Sequence, residues 1–124
     1  MMFQWLKGNA YSMIVTLSDN YITLNNCAAN RFSDIKWCLI GLDQKNKRLA
    51  IKPVTKKDID LGIYPTEKLH KVNLGRGYAR IANKNLMKSL EEITHYPLSE
   101  NAKYSASFDD NEVMLIVDLT SKED

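Results

Sequence analysis

Apolar and polar residues alternate over short stretches of this chain, and each stretch stops at a turn signal. Ser12–Ser18 alternates around Met13, Val15 and Leu17, the two-residue period of a half-buried strand. Asp19-Asn20 supplies a turn pair, and Tyr21–Leu24 is a second short strand of β-formers. Asn25 or Asn26 then caps a short helix through its side-chain oxygen, with Ala28, Ala29 and Phe32 on one face. Trp37–Leu42 and Leu49–Val54 read as strands around the polar turn Asp43-Gln44-Lys45-Asn46-Lys47. From Lys68 the plan returns. Strand 68–74, turn Gly75-Arg76-Gly77 and strand Tyr78–Ala82 lead to a cap at Asn83. Leu86, Met87, Leu90 and Ile93 come next, on one face of a helix of about three turns, which His95-Tyr96-Pro97 ends. Strand Tyr104–Phe108, turn Asp109-Asp110-Asn111 and strand Val113–Leu119 close the chain. The last strand is apolar on both faces, with Val113, Leu115 and Val117 against Met114 and Ile116, a pattern that predicts a central place.

The return of the plan extends to residue identities, so an internal repeat is the first hypothesis to weigh. At an offset of 57, Val15, Leu17, Tyr21, Leu24 and Asn26 face Val72, Leu74, Tyr78, Ile81 and Asn83. At an offset of 66, Asp43, Leu49 and Ile51 face Asp109, Leu115 and Val117. The sequence therefore predicts an α+β fold of two β-β-α-β-β units with two short helices. Each unit alone has a short helix and hairpins with one unpartnered apolar face. The two must pack as one pseudo-twofold sheet or barrel within a single domain, 1–124. The boundaries read as an N-terminal arm 1–11, repeat 1 over 12–54, a linker 55–67, repeat 2 over 68–119 and an acidic tail 120–124.

Composition fits one globular unit of 124 residues, with 44% hydrophobic and 26% charged residues. No apolar run approaches the ~20 residues of a membrane-spanning helix, and the N-terminal stretch lacks the parts of a signal peptide. Two cysteines are too few for a disulfide framework, which makes the reducing cytoplasm the expected location. Charge is uneven along the chain. Residues 1–62 hold nine Lys/Arg against five Asp, +4, and residues 63–124 hold eight against ten acids, −2. The basic middle runs from Lys45 to Arg80 and includes Lys68, Lys71 and Arg76; a solvated surface would look much the same.

Candidate catalytic chemistry is sparse. His70 and His95 stand far apart without ligand spacing, and Cys27 and Cys38 do not form C-x-x-C, so neither a metal site nor a redox pair is expected. No cofactor motif is recognisable. Gly75-Arg76-Gly77 could turn amides toward a phosphate, but a hairpin turn explains it more simply. Asp109-Asp110-Asn111-Glu112 lacks the ligand order and central Gly of a calcium loop. With no convergent acid, base and nucleophile, an enzyme is the least favoured class.

Strand–turn–strand–short helix–hairpin, with Leu74-Gly75-Arg76 at the first turn, resembles the AbrB/MazE-type swapped-hairpin DNA-binding family. Tyr21–Leu24 and Tyr78–Ile81 are similar to its second strand, and Arg48-Leu49-Ala50-Ile51-Lys52-Pro53-Val54 to the closing strand of its hairpin. The resemblance covers about 12–54 and again 68–119. Asn25 and Ala82 stand where the family carries proline, Ser18-Asp19-Asn20 replaces the first Leu-Gly-Arg turn, and the glycine turn after the helix is missing. The family swaps hairpins between chains, which leaves room for a homodimer, whereas two copies in one chain could complete the unit alone. The chain also resembles small proteins of Gram-positive bacteria and their mobile elements.

The chain is therefore expected to be a non-enzymatic DNA-binding, transcription-regulator-like module, with duplex DNA as partner and no cofactor, metal or membrane. If Ile22, Leu24, Ala79 and Ile81 face the core, then Tyr21, Thr23, Tyr78 and Arg80 face outward. The candidate binding residues are Lys68, Lys71, Arg76, Tyr78, Arg80 and Tyr21. Two alternatives stay open at this point. One is a protein-interaction module from a phage or mobile element, docking a protein partner through the apolar arm or a strand edge. The other is a non-catalytic ligand-binding barrel. Equally, the two tyrosines could simply stack on their own sheet neighbours.

Overall fold

The alternating stretches form strands in the computed structural model, which describes residues 2–6, 12–95 and 101–122. They are β1 (Met13–Leu17), β2 (Tyr21–Leu24), β3 (Trp37–Asp43), β4 (Arg48–Val54), β5 (Leu69–Lys71), β6 (Asn73–Gly75), β7 (Tyr78–Ala82), β8 (Ala102–Asp109) and β9 (Met114–Asp118). The helices are α1 (Asn26–Ala29), α2 (Lys56–Asp60) and α3 (Lys84–Thr94), with single 3-10 turns at Asn30–Phe32 and Thr66–Lys68.

All strand pairs are antiparallel, in the order β5-β3-β4-β9-β8-β1-β2-β7-β6. The two outermost strands, β5 and β6, are consecutive pieces of one stretch that breaks at Val72. The Val72 amide there donates to the Lys36 carbonyl at 2.8 Å. The ends of the sheet therefore meet, and the sheet curls into a nearly closed barrel with little free edge. Pairing across the middle is reciprocal: Leu49 lies opposite Val117 and Ile51 opposite Leu115. Asp43 and Asp109 end β3 and β8, and each accepts turn amides through its carboxylate, from Asn46 in the first case and from Asn111 and Glu112 in the second.

One hydrophobic cluster fills the described interior. Val15, Leu17, Ile22, Leu24, Leu49, Ile51, Ala79, Ile81, Leu115 and Val117 point inward with no exposure. Ala28 on α1, Phe32 in the 3-10 turn that follows it, and Met87 and Leu90 on α3 join the same cluster. Cys38 belongs to this cluster, and burial pushes its thiol up to about 12.

Four sequence expectations need correction. The stretch 55–67 is no plain linker and adds a helix to the two expected. Thr55 Oγ1 accepts from the Asp58 amide while the Asp58 carboxylate accepts from the Thr55 amide, the reciprocal box that starts a helix. Strand 68–74 is two strands, and Lys68 belongs to the preceding 3-10 turn. Val113 lies in the turn before β9, at φ 53° and half exposed, where the Asp109 side chain gathers the turn amides. β9 itself takes the central place expected, between β4 and β8, burying Leu115 and Val117 and leaving Met114 and Ile116 half-buried. Finally, Asn25 is the first helix cap: its Oδ1 accepts from Ala28 N at 3.1 Å. The offset of 57 faces Asn83, the cap of α3, with Asn26 rather than with this cap, so it does not bring the two helix caps together. The end of the arm, Tyr96-Pro97 and the last two acidic residues lie outside the described residues.

Candidate nucleic-acid interface

Strand parity sorts the outer face. Ile22 and Leu24 on β2, and Ala79 and Ile81 on β7, are fully buried, whereas Tyr21, Tyr78 and Arg80 are exposed and Thr23 is half-buried. The outward residues of neighbouring strands fall into line through their pairing. Lys103 opposes Thr16, Thr16 opposes Thr23, Thr23 opposes Arg80, and Arg80 opposes Asn73. At about 4.8 Å per strand, Lys103 and Arg80 stand about 14 Å apart with two threonine hydroxyls between them. β1, β2, β6 and β7 contain no Asp or Glu, so cations on this part of the face lack acidic neighbours within the same strands.

Arg80 holds the centre. Its guanidinium carbon lies 4.9 Å from the centroid of Tyr21 and 5.0 Å from that of Tyr78. Attraction to the ring faces contributes about 0.5–1 kcal/mol at exposed sites. An arginine held in this way can still offer its N–H groups to a phosphate. The two tyrosines are held differently. Tyr78 packs over Gly75, where an added β-carbon would fall 2.3 Å from Tyr78 Cζ, so only glycine leaves room for this ring. Gly77, at φ 73°, supplies the left-handed position in the turn. At Tyr21 the backbone is bonded instead to the Ser18 hydroxyl.

The remaining candidates are spread around this centre. Arg76 is exposed at the tip of the β6–β7 hairpin. Lys71 is exposed at the end of β5 opposite Trp37, and Lys68 is exposed in the 3-10 turn before β5. The structure thus brings Tyr21, Tyr78 and Arg80 into contact and sets Arg76 beside them, with Lys68 and Lys71 on the neighbouring segment. Sequence reasoning missed Lys103 and Lys84. Lys103 joins the row only through pairing of β1 with β8, which local periodicity cannot reveal. Lys84 opens α3 directly after the cap and borders Tyr21 in a cleft.

Below this face, α3 is tied to the barrel by Asn83. Its Oδ1 accepts from Leu86 N at 3.1 Å, and its amide nitrogen lies 3.2 Å from His70 Nδ1. Because Oδ1 is committed to the helix, the amide NH2 faces the ring, and Nδ1 must be the unprotonated acceptor. Burial lowers the pKa of His70 below its usual value, which agrees with that neutral tautomer. Among the described residues no group of three or more His, Cys, Asp or Glu is placed to hold a metal ion. No helix among them is long and apolar enough to cross a membrane. Comparison with family models, with curated proteins and with solved structures gave no match.

Proposed function

We propose that this chain is a non-enzymatic module that binds duplex DNA through the outer face of β1, β2, β6 and β7, with Lys103 of the neighbouring β8 at its edge. On this reading it is an internally duplicated, swapped-hairpin-like regulator of the reducing cytoplasm, its two β-β-α-β-β units meeting in one barrel. One observation carries the reading: Arg80, clamped between Tyr21 and Tyr78, sits mid-face on strands that contain no acidic residue. Arg76 at the hairpin tip and Lys103 at the far end of the row extend the positive charge. A cation spacing of about 14 Å is comparable with the ~12 Å width of a major groove, so the row suits phosphates on both walls. The threonine hydroxyls between the cations can add positional contacts.

The test is an electrophoretic titration of the full chain with duplex DNA at about 50 mM salt. Arg76→Ala with Arg80→Ala should weaken binding to all duplex sequences about equally. Each lost phosphate contact should make the plot of log affinity against log salt about 0.9 shallower. The fold should persist, since exposed side chains contribute little to stability. No binding at roughly 100 µM protein, the weak end of non-specific affinity, would overturn the reading. In that case the protein-interaction alternative gains, because Met2, Phe3, Trp5 and Leu6 are each at least 70% exposed and form an apolar arm.

A further inference from the structure

Beside Tyr21 lies an open cleft of about 370 Å³, bounded by Asn20, Tyr21, Ala82, Asn83 and Lys84. This volume is within the range of small-ligand sites. Its origin is a size mismatch across the sheet. Tyr21 and Ala82 are direct partners on β2 and β7, so a methyl group stands opposite a ring and leaves space beside it. The Asn83 amide donates to the Asn20 carbonyl at 3.3 Å and ties two walls together. The Asn83 side chain is already committed to Leu86 and His70, which holds that wall in place. Lys84 forms no ion pair with any described residue. Tyr78, by contrast, packs its ring over Gly75.

We propose, resting on the duplex-DNA reading above, that this cleft takes one unpaired nucleotide of the bound DNA, its base against the Tyr21 ring and its phosphate at Lys84. The chemistry matches feature by feature. Arg80 already occupies one side of the Tyr21 ring and fixes its orientation, and the adjoining slot is lined by the small side chain of Ala82. A planar base fits such a slot, and stacking on an aromatic ring tolerates any base because every base has a π-face. Lys84, a cation on the cleft wall with no ion pair among the described residues, suits the anionic phosphate next to that base. A base inside an intact duplex is stacked on its neighbours and cannot enter, so the site selects a bulge, an overhang or a frayed end.

The deciding experiment measures fluorescence anisotropy of labelled DNA with the full chain. Three probes are used: a blunt duplex, the same duplex with a one-nucleotide overhang, and one with a single-nucleotide bulge. The wild-type chain should bind the overhang or bulge probe at least about fivefold more tightly than the blunt duplex, the low end of what base-on-aromatic stacking supplies. Ala82→Leu, which fills the cleft without adding a ring, should abolish this preference and leave blunt-duplex affinity unchanged. Should that variant lose thermal stability, Tyr21→Leu is read instead for the ratio between probes. Equal wild-type affinity for all three probes, or a preference that survives the filled cleft, overturns the cleft assignment while the duplex reading stands. Binding of the unpaired probes alone overturns the duplex reading and supports the cleft. Binding of none overturns both.

Discussion

Replacing Asn83 tests the link between helix α3 and the barrel, because one side chain serves both. Asn83→Ala removes the bond to Leu86 N and the contact with His70 Nδ1. Loss of an N-cap costs about 1 kcal/mol. Loss of a neutral hydrogen bond costs about another 0.5–1.5 kcal/mol, discounted here because His70 is only half-buried and water can replace the partner. The expected cost is about 1.5 kcal/mol, equivalent to a fall in melting temperature of about 6 °C in a chain of this size. Asn83→Ser, which keeps a capping oxygen but cannot reach the imidazole, should recover most of it.

The same pair fixes the sign of a pH effect. Burial depresses the folded pKa of His70 below the unfolded value of 6.5, so below that value the unfolded chain binds more protons. This contribution to stability is fully present above pH 6.5 and is lost as pH falls toward the folded pKa. Protonation also sets an N–H against the Asn83 NH2, and relief by turning the amide would give up the helix cap. Urea unfolding between pH 7.5 and 5.5 should show this loss in the wild type and less of it in His70→Gln. In Asn83→Asp the new carboxylate favours the charged ring, so the contribution of His70 should reverse and grow as pH falls. An unchanged melting temperature for Asn83→Ala, or the same pH slope with and without His70, would refute the reasoning.

The core supplies two further outcomes. Leu90 has no exposure and lies in the central cluster, so Leu90→Ala should cost roughly 2–5 kcal/mol by chemical unfolding. Any loss of DNA binding in that variant should track the unfolded fraction. Cys38 is buried with its thiol pushed up to about 12, so at pH 8 it should resist a thiol reagent in the native protein and react once urea unfolds the chain. Rapid native labelling at Cys38, located by peptide mapping, would show that β3 opens readily.

Where a feature depends on neighbours a few residues away, the chain declares it. The alternation of β2 and β7 placed Tyr21, Tyr78 and Arg80 outward because a pleated strand leaves a side chain only two faces. Asn83 before the Leu86–Leu90 stripe marked the start of α3 because the orphan amides of a first turn need an acceptor. Thr55 and Asp58 formed an equally local signal for α2, which the glycine and proline further along the same stretch obscured. What stayed hidden depends on pairing between distant segments. Val72 has an ordinary strand pattern on both sides, and the break shows only in the pairing: its amide still bonds Lys36 on the β3 side, whereas from Asn73 the chain pairs with β7. Lys103 enters the cationic row only because β1, nearly ninety residues earlier, lies between β8 and β2. The cleft is a stronger case. Ala82 reads as an unremarkable strand end until β2 brings Tyr21 opposite it, and the space arises from the difference in size between those two partners. Binding surfaces on a closed sheet are made by such cross-strand differences, so in this chain the elements are legible one by one and the candidate site emerges only from their pairing.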